Sequence, residues 1–177
     1  MYSSTEDNRP TLRGVPSSDL RAAVAGAAAA TAWALLEPLD QRLLGCDYSD
    51  VALLGKAVTR GHGWRATGLA IHAGNGAVFG LVFARAHRRL GGDPRRLGLG
   101  MALAEHLALY PLCGLVDRCH PARGTPGVPP LLRNRRAFVQ ATLRHAAFGL
   151  LLGRLAVPAS MKRIRPSSRS SSAGEPA

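Results

Sequence analysis

The stretch His72-Ala73-Gly74-Asn75-Gly76-Ala77-Val78-Phe79-Gly80 returns later as His145-Ala146-Ala147-Phe148-Gly149-Leu150-Leu151-Leu152-Gly153, and both read H-A-x-x-G-x-x-x-G. Sliding the chain over itself by 73 residues gives four further identities: Pro38 with Pro111, Leu39 with Leu112, Cys46 with Cys119, and Arg60 with Arg133. Coincident Pro, Cys and His residues in one register are uncommon by chance. The pattern therefore predicts a diverged tandem duplication.

The chain contains four apolar segments, each flanked by charged residues. They cover about residues 20–37, 66–84, 97–116 and 137–157. The second is the clearest, because residues 66–84 carry no charged side chain and roughly 20 residues cross a hydrocarbon core. The first is rich in Ala, which favours helix but has little affinity for lipid, so its full insertion stays open. The predicted fold is all-α, a four-transmembrane-helix bundle of two tandem two-helix repeats.

The ends of the chain differ from this core. Residues 1–19 are polar with mixed charges, and residues 158–177 are rich in Ser, Pro and Arg. Both compositions are typical of disordered tails, the second of them basic. The membrane domain is accordingly predicted to cover residues 20–157.

The positive charge restricts the classes of partner. A net charge of +12 suits the anionic headgroups of a bilayer or the phosphates of a nucleic acid. Five Arg residues fall between Arg85 and Arg96, and this loop and the C-terminal tail are expected to meet anionic headgroups. Nucleic acid is the less favoured partner, since aromatic residues are only 5% of the chain and base stacking needs them. The alternative interpretation is a soluble basic helical protein that binds nucleic acid.

Lys and Arg residues also predict an orientation. The two tails and the loop at 85–96 hold about 13 of them, against about 9 in the other two loops. Because cytoplasmic loops carry the excess of Lys and Arg, both termini are expected on the cytoplasmic side of the cell membrane.

Polar side chains recur at similar depth within the predicted spans: His72, Asn75, Glu105, His106, Arg144 and His145. Ionisable groups are costly in a bilayer unless they are paired, so an ion pair between Glu105 and Arg144 is expected. Two interpretations remain open for the layer, a structural polar cluster and the lining of a solute or ion path. A third is a proton or divalent metal site formed by His72, His106 and His145. No other cofactor is predicted.

Small residues form a second pattern in the same helices. Gly76 and Gly80, and likewise Gly149 and Gly153, stand four residues apart behind a His. Such a spacing lets a neighbouring helix approach closely, so these four glycines are predicted to pack against other spans.

The register also aligns two of the three cysteines. Cys46 and Cys119 occupy equivalent loop positions predicted to lie outside the cytoplasm, where disulfides persist, so a bond between them is expected and Cys113 is left over. The alternative is that each is a small buried residue at a helix end.

Several short motifs support a resemblance. Gly61-His62-Gly63-Trp64-Arg65, His72-Ala73-Gly74-Asn75-Gly76, Glu105-His106-Leu107 and Asp117-Arg118-Cys119-His120-Pro121 together resemble an uncharacterised family of small four-helix integral membrane proteins of high-GC, actinobacterial-type bacteria. The resemblance implies a multi-pass membrane protein and carries no activity. No catalytic triad, phosphate loop or dinucleotide-binding pattern occurs in the sequence, and no enzyme reaction is predicted.

Overall fold

The computed structural model describes residues 16–59 and 61–157, and all regular secondary structure in these ranges is helical. The helices are α1 Ser17–Leu44, α2 Asp50–Val58, α3 Trp64–Leu90, α4 Pro94–Leu109, α5 Cys113–Cys119 and α6 Arg135–Ala156. A 3-10 turn at Tyr110–Leu112 joins α4 to α5, so these two form one continuous rod. The predicted tail regions 1–15 and 158–177 lie outside the described residues.

The first helix is longer at both ends than the sequence predicted. It begins at Ser17, inside the predicted tail, and it runs through Pro38 to Leu44. The expected end at Glu37 was wrong, because a helix can contain a proline at the cost of one backbone hydrogen bond. The helix ends instead at Gly45, whose left-handed backbone (φ 59°) suits glycine, and the Gly45 N–H donates to the Gln41 carbonyl.

Side-chain caps define three of the helix starts. Ser49 accepts a hydrogen bond from Ala52 N (2.9 Å) at α2, and Asn134 accepts one from Ala137 N (3.2 Å) at α6. At α4, Asp93 accepts from the backbone N–H groups of Arg95 and Arg96 at 2.8 and 3.0 Å. These bonds hold the pKa of the Asp93 carboxyl below its usual range.

The long helices alternate in direction and pack as two antiparallel pairs. α1 packs on α3, α4 packs on α6, and α1 and α6 join the pairs, whereas α3 and α4 touch only sparsely. Asp19 near the start of α1 pairs with Arg88 near the end of α3, and Arg21 donates to the Leu155 carbonyl near the end of α6 (3.4 Å). The start of α1 and the ends of α3 and α6 therefore lie at one end of the bundle.

Glycines allow both pairs to approach backbone to backbone. A Cβ atom on Gly76 or Gly80 would lie 2.5 Å from the carbonyl oxygen of Gly26 or 2.0 Å from that of Ala22. In the other pair, a Cβ atom on Gly149 or Gly153 would lie 2.4 Å from the carbonyl oxygen of Gly98 or 2.2 Å from that of Pro94. All four glycines predicted to pack against helices do so, each with the helix adjacent in its own pair.

Three helices are long and apolar enough to cross a membrane: Ser17–Leu44, Trp64–Leu90 and the rod Pro94–Cys119. Within the described residues, α6 does not reach the same hydropathy, although it covers the fourth predicted span at 137–157. Its polar residues Gln140, Arg144 and His145 lower the average. The fold thus provides three candidate spans and a fourth long helix packed against two of them.

The expected disulfide does not form. Cys46 and Cys119 are both free, Cys46 being buried and Cys119 exposed. Helix α1 ends before Cys46, whereas the rod of α4 and α5 continues to Cys119, so equivalent sequence positions lie in different local structures. Cys46 instead belongs to a small apolar cluster with Tyr48, against which Cys113 packs.

A buried ion cluster beside a polar cavity

Arg144 of α6 is the centre of a buried ion cluster, and only 3% of its side chain is exposed. Its Nε and Nη2 atoms donate to the two carboxylate oxygens of Asp40 at 2.6 and 2.8 Å, a bidentate pair. Nη1 donates to Asp50 at 2.7 Å and to Glu37 at 3.4 Å, and Nη2 also donates to the Tyr48 carbonyl at 3.0 Å. These contacts use all five N–H donors of the guanidinium group.

Glu37 ties the end region of α1 to the start of α2. The Ser49 hydroxyl donates to one Glu37 oxygen at 2.6 Å, and the Asp50 N–H donates to the other at 2.8 Å. Backbone N–H groups at a helix N-terminus favour an anion, because they have no partner within the helix. The carboxylate of Glu37 therefore anchors α2 over the centre of the bundle.

Tyr48 completes the cluster from the loop between α1 and α2. Its hydroxyl donates to Asp50 at 2.5 Å, and its ring lies 5.2 Å from the Arg144 guanidinium carbon. Burial and the neighbouring Asp50 raise the pKa of the Tyr48 hydroxyl well above its usual value. Burial alone would raise the pKa of Asp50 too, but Arg144, His72 and the Tyr48 hydroxyl outweigh it and hold that pKa below its usual value.

Gln140 lies one turn before Arg144 on the same face of α6 and is fully buried. Its amide nitrogen donates to Asp40 at 2.9 Å and to the Tyr48 carbonyl at 3.4 Å. Two residues of α6 thus hold the carboxylate of Asp40 in a fixed position.

A cavity of about 210 Å³ adjoins this cluster. Its polar lining consists of Asp50, His72, Asn75, Glu105, Arg144 and His145. Its aromatic lining consists of Trp33, Phe79 and Phe148, and the two Phe rings meet edge to face at a centroid distance of 5.3 Å. The structure therefore brings five of the six residues of the predicted polar layer to one cavity.

The sixth residue, His106, lies on a neighbouring cavity of about 300 Å³ that His145 also lines. The ring centroids of His106 and His145 are 4.8 Å apart. Thr142 donates its hydroxyl proton to the Phe138 carbonyl (2.8 Å), so the 3.0 Å contact to His106 requires His106 Nε2 to be the donor. His145 Nδ1 likewise donates to the Ala141 carbonyl at 2.8 Å. In the neutral tautomers, each ring therefore keeps one unprotonated nitrogen.

The predicted ion pair between Glu105 and Arg144 was wrong. Arg144 is paired with Asp40, Asp50 and Glu37, whereas Glu105 lines the cavity with no ion pair among the described residues. Of the three His residues of the candidate metal site, His72 and His145 line this cavity, and His106 lines the neighbouring one. Within residues 16–59 and 61–157, no group of three or more His, Cys, Asp or Glu side chains is placed to hold a metal ion.

The acidic half of the cluster is absent from the predicted polar layer. Glu37 is the last residue of the first predicted span, and Asp40 and Asp50 lie between the first two predicted spans. One signal was present, because Glu37 and Asp40 are three residues apart and share a face if α1 continues beyond Pro38. The proline obscured this continuation.

None of the family models, curated proteins and solved structures compared with the chain matches it. The function is therefore inferred from the geometry of the cluster and the cavity.

Proposed function

We propose that the chain is a multi-pass integral membrane protein of the cell membrane whose polar cavity admits a small polar solute or ion within the bilayer. The cavity carries this proposal. Ionisable residues inside a membrane domain are costly and commonly mark a path for a solute, an ion or a proton. Here the polar side chains converge on one space from α2, α3, α4 and α6.

In this proposal α6 is the fourth span. Its 22 residues correspond to about 33 Å of helix, enough for a hydrocarbon core of about 30 Å. The charge at its middle does not oppose insertion, because the five donors of Arg144 are bonded inside the protein. Large apolar side chains such as Leu35, Val78 and Leu150 are exposed on the long helices, as a lipid-facing surface requires.

The two helix pairs also support the proposed duplication. Gly76 approaches Gly26 and Gly80 approaches Ala22, as Gly149 approaches Gly98 and Gly153 approaches Pro94. Gly149 and Gly153 follow Gly76 and Gly80 by 73 residues. Their contact partners Gly98 and Pro94 follow Gly26 and Ala22 by 72 residues. A pair of related two-helix units, diverged in their loops, accounts for both contacts.

The orientation and lipid contacts belong to the same proposal. The end of the bundle that holds the start of α1 also holds the segment from Arg85 to Arg96, which forms the end of α3, a short turn and the start of α4. These arginines would meet anionic headgroups on the cytoplasmic side. Nothing in the geometry favours the alternative of a soluble nucleic-acid-binding protein.

Two experiments test the proposal. After a carbonate wash of broken cells, the protein is expected in the membrane pellet, and release into the supernatant would contradict membrane integration. Asn75→Cys, in a chain with Cys46, Cys113 and Cys119 changed to Ala, tests the cavity. A charged maleimide should label it in membranes, because Asn75 lines the cavity.

The matched control is Val78→Cys, which lies on the same helix, is exposed and does not line the cavity. It should react much more slowly, since lipid excludes a charged reagent. Equal labelling of the two variants would remove the argument for a water-accessible cavity.

A further inference from the structure

From the lining of the cavity, and on the basis of the proposed function, we infer that its ligand is a small organic ammonium ion. The net charge around the cavity favours a cation. Four carboxylates line or adjoin the cavity, those of Glu37, Asp40, Asp50 and Glu105, and one guanidinium, that of Arg144, opposes them. With neutral histidines, four negative charges against one positive leave an excess of three. This excess attracts a cation and repels an anion.

Among these four carboxylates, that of Glu105 remains available to bind a ligand. Asp40 and Asp50 are bonded to Arg144, and Glu37 is bonded to Ser49 and the start of α2. Glu105 has no hydrogen bond or ion pair within the described residues, and it lines the cavity and is exposed at the surface, as is Asn75. Its carboxylate therefore stands at the mouth of the cavity.

Aromatic side chains form a wall of the cavity that favours an organic ammonium ion. Trp33, Phe79 and Phe148 line the same cavity, and the faces of aromatic rings attract organic ammonium ions, Trp most strongly. A strongly hydrated inorganic ion gains little from such a wall. Trp33 Nε1 is also buried without a hydrogen-bond partner in the described part of the chain, so a water bound beside the ammonium ion would satisfy it by accepting its hydrogen bond.

Size agrees with this class of ligand. The volume of about 210 Å³ equals roughly seven water molecules at about 30 Å³ each. This is below the range of cavities that hold drug-sized molecules. A methylated ammonium ion with one or two waters fits the space.

The test uses tryptophan fluorescence of the full chain, purified in detergent. The protein has two Trp residues, so Trp64→Phe leaves Trp33 in the cavity as the only reporter. Tetramethylammonium chloride should change its emission and saturate, whereas tert-butanol of similar size and sodium chloride of equal ionic strength should not. A response of equal size to tert-butanol or to sodium chloride would overturn the inference, as would no saturable response.

Glu105→Gln in the Trp64→Phe background should weaken binding of tetramethylammonium about tenfold or more, because it removes the negative charge that attracts the ammonium ion. The control is Asp93→Asn, which removes one negative charge outside the cavity and keeps a side chain that caps α4. Equal binding by the two variants would refute the role of Glu105.

This result is separable from that of the cavity-labelling experiment. Labelling at Asn75→Cys without an ammonium response would retain the proposed function and overturn the inference. An ammonium response without labelling in membranes would retain the inferred ligand class and overturn the proposed function.

Discussion

Arg144 donates two hydrogen bonds to Asp40, at 2.6 and 2.8 Å, across 104 positions of the chain. The bond joins the last helix to the first, and Gln140 supports it from the same face of α6. The arrangement of side chains around the cavity depends on this contact, because the same guanidinium also holds Asp50 and the start of α2.

Removing one partner of this pair should destabilise the protein strongly. Arg144→Met leaves the Asp40 carboxylate without its cation, and Asp40→Leu removes the bidentate partner of Arg144 although Asp50 and Glu37 remain. Each is expected to cost about 3–5 kcal/mol. The double variant should lose less than the sum, because neither charge then remains. Thermal unfolding in detergent measures the coupling. Additive losses would show that Arg144 and Asp40 do not act as a unit. The control is Glu105→Gln combined with Arg144→Met, for which additive losses are expected.

The close helix contacts should be sensitive to a single added carbon. Gly26→Ala and Gly98→Ala place a Cβ atom 2.0 and 2.2 Å from the carbonyl oxygens of Gly76 and Gly149, so the helices must move apart. Each is expected to lower stability by about 1–3 kcal/mol. Gly74→Ala and Gly100→Ala are the controls.

A Cβ atom on either control residue would meet nothing within 4 Å. Alanine favours a helix over glycine by up to about 1 kcal/mol, so the controls should be neutral or stabilising. A loss of the same size at Gly100 as at Gly98 would contradict close packing as the cause.

Stability should fall in acid partly through Asp50. Burial raises the pKa of Asp50, but Arg144, His72 and the Tyr48 hydroxyl outweigh burial and hold that pKa below the usual 3.8. The neighbouring Glu37 is a like charge and does not contribute to this lowering. A lowered carboxyl pKa stabilises the folded state above the unfolded value, and this stabilisation is lost as pH falls through the folded value. Between about pH 6 and about pH 3, Asp50→Asn should therefore lose less of its stability than the parent chain does. Parallel curves would exclude Asp50 as a contributor.

Thiol chemistry should distinguish the cysteines without prior reduction. Cys119 is exposed and should react rapidly with a maleimide in detergent, whereas Cys46 is buried and should react only on unfolding. Mass spectrometry of the labelled chain gives both rates. A Cys46 to Cys119 bond in the native protein, seen as protection of both until reduction, would contradict the structure.

The sequence predicted the parts of the fold that depend on local pattern. The run at 66–84 lies within α3, and the four packing glycines all lie at helix contacts. These features follow from the composition of single segments and from glycine spacing, which constrain a helix before any tertiary contact forms. Five of the six polar residues that line the cavity, all except Asp50, were likewise predicted as polar side chains within apolar runs.

The tertiary structure alone decided which charges meet. Glu105 and Arg144 have matching depth in the sequence pattern, yet Arg144 pairs with Asp40 and Asp50, because α1 continues beyond Pro38 and α2 folds over the bundle. Hydropathy and periodicity place a residue on a face and at a depth, but they contain no information on the rotation of one helix against another. Electrostatic attraction acts between positions 94 to 107 residues apart in this cluster, so its partners are fixed only when the helices pack.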